Sequence, residues 1–179
     1  GVSGNTTFSG EIITSTSGTS NTRIGENAGD AIASGGNYNV LIGDEAGTAL
    51  TTGDNNVAVG FEALKTEDAH GNNVAVGYQA LKVQDAGADG KNVAVGYQAG
   101  VATSTGSENV FIGASAGDST TVGIRNVASG AEALYNNIDG SNHVAIGYQA
   151  LYTQTTDNNN VAIGWQAMAL SNGASSTVA

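Results

Sequence analysis

Asn73-Val74-Ala75-Val76-Gly77-Tyr78-Gln79-Ala80-Leu81 is the cleanest copy of a phrase that recurs along almost the whole chain. Its starts fall at Asn21, Asn39, Asn56, Asn73, Asn92, Asn109, Asn126, His143 and Asn160, separated by 18, 17, 17, 19, 17, 17, 17 and 17 residues. A fixed period of this length marks a stack of structural repeats, each too small to bury its own apolar face.

Within each copy the second and fourth positions are β-branched and apolar, as in Val57/Val59, Val74/Val76, Val93/Val95 and Val144/Ile146. Alternation of this kind places both side chains on one side of a strand, and the expectation is that they point into the core. Helix is excluded because a Gly closes every run and the runs are too short. Ser129, where Val or Ile normally stands, is then expected either to weaken its coil or to hydrogen-bond to a neighbouring rung. The third position carries Ala58, Ala75, Ala94, Ala128, Ala145 and Ala162, with Arg23, Leu41 and Phe111 in the other copies. It reads as a smooth outer line that a partner chain covers, or as a position where Ala is merely tolerated on the outside.

Gly stands at the fifth position and Ala at the eighth in all nine copies. The Gly serves either positive φ or close approach at a corner, and the Ala a tight inside corner. The leading Asn suits a turn, and stacked amides form a ladder from coil to coil. Together these features predict an all-β fold: a parallel β-solenoid of about nine 17-residue coils spanning 21–170, with two or three short strands per coil. Residues 1–20 are a lead-in strand, cap or linker, with strand character at Thr7–Thr14. Residues 171–179 are a C-terminal tail. Aliphatic hexapeptide solenoids are excluded because Lys82 stands six residues after Val76 and Lys65 six after Val59, and no calcium-binding GGxGxD series is present.

Composition narrows the function. Sixteen acids against five bases give a formal net charge of −11, the wrong sign for a phosphate backbone, so nucleic acid is not an expected partner. There is no Cys and no apolar run of membrane-spanning length. No signal peptide is legible, and the absence of an initiating Met suggests a fragment or processed product. No catalytic constellation stands out, so neither an enzyme nor a cofactor is expected. His70 and His143 fall at different repeat positions, and His143 reads as a turn residue replacing the ladder Asn. The acid-rich loops at Asp85–Asp89, Asp139–Asn142 and Asp157–Asn160 read as solvated turns rather than metal sites.

The sixth position is the one with binding character. Phe61, Tyr78, Tyr97, Tyr148 and Trp165 occupy it, half the aromatic side chains of a chain with six Tyr, three Phe and one Trp. On consecutive coils Phe61, Tyr78 and Tyr97 should stack about 5 Å apart. Beside them, the seventh position is mostly Gln or Glu. Such a column either binds sugars or packs between subunits.

The phrase Asn-Val-Ala-Val/Ile-Gly-x-x-Ala resembles the head repeats of trimeric autotransporter adhesins. Asn-Val-Ala-Ile-Gly-Tyr-Gln-Ala-Leu is similar to repeats in bacteriophage tail-fibre proteins, and Thr7-Phe8-Ser9-Gly10 is similar to strands of phage fibre shafts. The resemblance covers about residues 5–170. It implies a left-handed coil, a homotrimer, and a structural role in an extracellular virion fibre. Partners would be other fibre or tail proteins and a host cell-surface glycan or protein. Its alternative is an adhesin head on a bacterial surface. The period of 17 exceeds that of the adhesins. A monomeric ice- or carbohydrate-binding solenoid is a third reading, and Thr51, Thr52, Thr103, Thr105 and Thr120 keep no common register for ice.

Overall fold

The computed structural model describes residues 17–170 and 176–179; the expected lead-in strand at Thr7–Thr14 lies outside them. Nine three-residue strands form one parallel sheet in sequence order: β1 Thr22–Ile24, β2 Val40–Ile42, β3 Val57–Val59, β4 Val74–Val76, β5 Val93–Val95, β6 Val110–Ile112, β7 Val127–Ser129, β8 Val144–Ile146 and β9 Val161–Ile163. Register is kept from copy to copy, so that Ala58 pairs with Ala75 and Ala75 with Ala94. The chain is a parallel β-solenoid, as the period requires, with one strand per coil among the described residues rather than two or three.

Turns complete each coil, yet their backbone is bonded along the stack as a sheet would be. The Gly77 N–H donates to the Val59 carbonyl at 2.8 Å, that of Gln79 to Phe61 at 2.9 Å, and that of Leu81 forward to Ala99 at 3.0 Å. Turn residues that would otherwise need water therefore find partners one coil away. Winding 17 residues this tightly takes repeated left-handed backbone. The seventh position adopts it even where the residue is Glu62, Gln79 or Gln98, with φ of 54°, 56° and 53°. The fifth-position Gly meets both of its expected requirements. At Gly113 φ is 130°, and an added Cβ would lie 2.6 Å from the Gly130 carbonyl oxygen.

The side of the strand that faces inward is the reverse of the expectation. Ala58, Ala75, Ala94, Ala128, Ala145 and Ala162 are fully buried within the single chain, whereas the flanking Val and Ile are half-buried or exposed. The Ala column is therefore core and not an outer interface. Ser129 correspondingly points outward and costs the core nothing. The reason is volume. Ala at the third position is followed at the ninth by a buried Leu, as in Ala58/Leu64, Ala75/Leu81, Ala128/Leu134 and Ala145/Leu151. Where the third position is large, the ninth is Gly. A Cβ on Gly47 would sit 2.8 Å from Leu41 Cδ2, and one on Gly117 would sit 2.8 Å from Phe111 Cγ. Coil five has Ala94 and Gly100, both small, and there Phe111 and Leu81 lean in from the coils on either side. Coil five apart, one bulky side chain per coil fills the interior at this point, in either of two places.

The leading Asn residues are buried and form a ladder to the backbone. The Oδ1 of Asn109 accepts from the Asn126 N–H at 2.9 Å, and its Nδ2 donates to the Gly123 carbonyl at 2.8 Å. His143 fills the same role. Its Nδ1 accepts from the Asn160 N–H at 3.3 Å and its Nε2 lies 2.7 Å from the Asp157 carbonyl. That pattern requires the neutral Nε2–H tautomer, and burial holds the pKa of His143 below its ordinary value of 6.5. The consequence for stability has a definite sign. Above 6.5 the ring is neutral in both states. As the pH falls below 6.5 the unfolded chain protonates first, so folded stability declines until the lower folded pKa is passed. His143→Asn should remove this component. Denaturant melts at pH 7.5 and 5 should differ less for the variant than for the native chain.

The ninth coil is not the last rung. Val178 forms a parallel bridge with Val161, the Ile163 N–H donates to Ala179 at 2.9 Å, and Thr177 N–H donates to Asn160 Oδ1 at 2.9 Å. Thr177-Val178-Ala179 occupies the first three positions of a further copy, one period after Asn160, and so belongs to the stack rather than to a tail.

Candidate functional site

Two kinds of surface are built by the repeat. The first is the outer side of the sheet. Because the second and fourth positions face outward, β1 to β9 present two parallel files of β-branched side chains, broken in the fourth-position file by Ser129 of β7. Ile24, Val95, Ile112, Ile146 and Ile163 are among the exposed large apolar residues, at 51%, 38%, 45%, 39% and 60%. Nine rungs at about 4.8 Å make this strip roughly 40 Å long, and residues two apart on a strand make it about 7 Å wide before its flanks are counted. A largely apolar strip of this size, with hydroxyls at Thr22 and Ser129, is more than isolated exposed residues would give. Reading the Val and Ile files as core hid it. The constancy of Ala, the one apolar residue that always fits beside a ninth-position Leu, was the available signal.

The second surface comprises the sixth and seventh positions. Phe61 and Tyr78 stack with centroids 5.4 Å apart, and Tyr78 and Tyr97 with centroids 5.2 Å apart and planes within 6°. The expected ladder is present on these three coils. Ala114 and Ala131 then interrupt the column, so Tyr148 and Trp165 form a separate group further along. All five rings are exposed in the chain, Trp165 most at 72%. Beside them the seventh-position side chains are joined rung to rung. Gln79 Nε2 donates to Glu62 Oε2 at 2.7 Å and Gln98 Nε2 to Gln79 Oε1 at 2.9 Å. Glu132, Gln149 and Gln166 repeat the arrangement at 2.7 Å in both steps.

These bonds orient the amides and leave their chemistry turned toward structure. Glu62 is held further by Lys65 and Lys82, each 2.7 Å from one of its oxygens, and Lys65 also pairs with Glu45. Hydrogen bonds from Lys65, Lys82 and Gln79 pull the Glu62 carboxyl down to about 2. Lys65 thereby stitches the stacked carboxylates of Glu45 and Glu62. The tenth position carries a pair that sequence reading missed: Tyr135 and Tyr152 stack at 5.1 Å, and the nearby Asp118 charge raises the Tyr135 pKa.

Among the described residues no helix is long and apolar enough to cross a membrane. Comparison with protein-family models, with curated proteins and with solved structures finds no match to this chain.

Proposed function

We propose that this chain is a structural segment of a virion fibre, a rigid shaft or head in which three left-handed copies stand side by side around a common axis. The observation that carries the reading is the outer β-branched strip. It runs along the stack, because register is conserved from strand to strand. Copies placed around an axis parallel to the stack bury such a strip along its whole length and leave both ends free to continue the fibre. The number three comes from the resemblance of the Asn-Val-Ala-Ile-Gly repeats to fibre and adhesin repeats. Along the axis the partners are other fibre or tail proteins.

The exposed aromatic groups favour a second role, attachment to a host glycan or protein. Rings beside fixed amides and carboxylates suit sugar faces, and three identical chains multiply weak contacts by avidity. The same geometry would serve an adhesin head on a bacterial surface, and the protein's longer context distinguishes the two.

Light scattering on the purified protein tests the assembly. The expected mass is three times the 17.7 kDa chain. A mass near that of one chain, at concentrations well above those of ordinary oligomer dissociation, would sink the trimer.

A further inference from the structure

The twelfth position of the first eight coils points inward, and its occupants are Ile32, Leu50, Glu67, Gln84, Thr103, Thr120, Asn137 and Gln154. Glu67 is the charged member of this file, and its side chain is wholly buried. One carboxylate oxygen, Oε1, accepts from the His70 backbone N–H at 3.1 Å and lies 3.2 Å from His70 Nδ1. The other, Oε2, is buried with no hydrogen-bond partner. A buried carboxylate is rarely left half-satisfied.

Two more carboxylates converge on the same point. Asp68 and Asp85 occupy the position after the twelfth on adjacent coils, so they are stacked like charges. His70 Nδ1 lies 3.9 Å from Asp85 Oδ1, and one donor atom from each of Glu67, Asp68, His70 and Asp85 falls within 4.8 Å of all the others. The nearest bases do not neutralise them, since Lys65 and Lys82 are engaged by Glu45 and Glu62.

We infer that Glu67, Asp68, His70 and Asp85 form a binding site for one divalent transition-metal ion of the zinc class. The donor set is one imidazole and three carboxylates, a mixture that suits zinc better than calcium, which takes six to eight oxygens. Tetrahedral zinc with bonds of about 2.0–2.1 Å spaces its ligand atoms about 3.3 Å apart, close to the Glu67–His70 separation, so a small contraction of the two Asp side chains completes the site. The ion supplies the charge that three clustered carboxylates lack and a partner for Glu67. Its position also has a structural logic. The Asn ladder continues through coil four, from Asn73 N–H to Asn56 Oδ1 at 3.0 Å and from Asn92 N–H to Asn73 Oδ1 at 3.1 Å, but with the two-residue insertion near Asp85–Asp89 Asn73 Nδ2 is buried without the carbonyl partner that other ladder Asn find in their own coil. A metal held by coil three and coil four would tie the coil that carries the insertion to its neighbour.

Calorimetric titration of the intact protein with zinc chloride, followed by thermal melts, tests the site. The expected result is saturable binding of one ion per chain with a rise in Tm. Glu67→Gln is built to fold, because Gln84 and Gln154 occupy the same position on other coils. It should weaken binding at least ~10-fold, as should His70→Ala and Asp85→Asn, with the zinc-dependent rise in Tm reduced in parallel. No saturable binding would overturn the inference, as would binding unchanged in all three variants or a preference for calcium over zinc. If zinc does not bind and Glu67→Gln raises Tm in metal-free buffer, Glu67 is merely a protonated core residue and the site does not exist.

Discussion

Phe111→Ala should lower the free energy of unfolding by about 3–5 kcal/mol, the range for removing a large buried aromatic side chain. Phe111 is the largest fully buried side chain of the described residues, and it fills the interior of two coils. The loss should be partly reversed by adding Gly117→Leu. The double variant recreates the Ala-then-Leu arrangement of coil seven, where Ala128 and Leu134 occupy the same two positions. Backbone strain does not forbid it. Gly117 has φ of 63°, and Leu64, Leu81, Leu134 and Leu151 already adopt 51°, 48°, 54° and 52° at the ninth position. Recovery should be incomplete, because the space that Phe111 also fills beside Gly100 stays open. Urea melts of the wild type, the single variants and the double variant measure the coupling. Gly117→Leu alone should destabilise, since its side chain meets Phe111. Additive effects would mean that the two positions do not share one volume.

Ala94→Glu and Val95→Glu should separate folding from assembly, although the two residues are neighbours in β5. Ala94 is fully buried and pairs with Phe111 of the next strand. A carboxylate there is both too large and uncompensated, at a cost of roughly 5 kcal/mol or more, a large part of what holds a domain folded. The expected result is loss of cooperative melting. Val95 is 38% exposed and points the other way. Val95→Glu should change the stability of the isolated chain by less than about 1 kcal/mol, yet place three carboxylates against one another at the axis of the proposed trimer. Scattering should then report a single-chain mass from a protein that still melts cooperatively. A folded Ala94→Glu chain would contradict the inward assignment of the Ala column. A Val95→Glu protein with the wild-type mass would remove the outer strip from the interface.

Much of this was legible from residues alone. The period of 17, the parallel register, the Gly and Ala corners, the Asn ladder and the Phe61–Tyr78–Tyr97 stack all rest on rules that operate within a coil or between identical positions one coil apart. His143 belongs with them, because imidazole offers the same acceptor-and-donor pair as an amide. What was not legible depended on several positions at once. The inverse relation between the third and ninth positions is visible only when two columns are compared, and Glu67 stands out only once the twelfth position is known to face inward. The same holds for the stacked Asp68 and Asp85, which lie 17 residues apart in the chain.

A two-residue alternation states that Val74 and Val76 share one side of a strand and Ala75 takes the other. It is silent on which side is the core, because β-branched residues suit a strand wherever they point. In a wide sandwich the larger residues go inside. A 17-residue coil encloses too little space for that, and the interior at each strand has room for one bulky group, contributed from the third position or the ninth or, at coil five, leaning in from the neighbouring coils. Val and Ile are therefore excluded to the outside by volume. Their arrival there turns what would have been a closed core into a largely apolar surface along the stack.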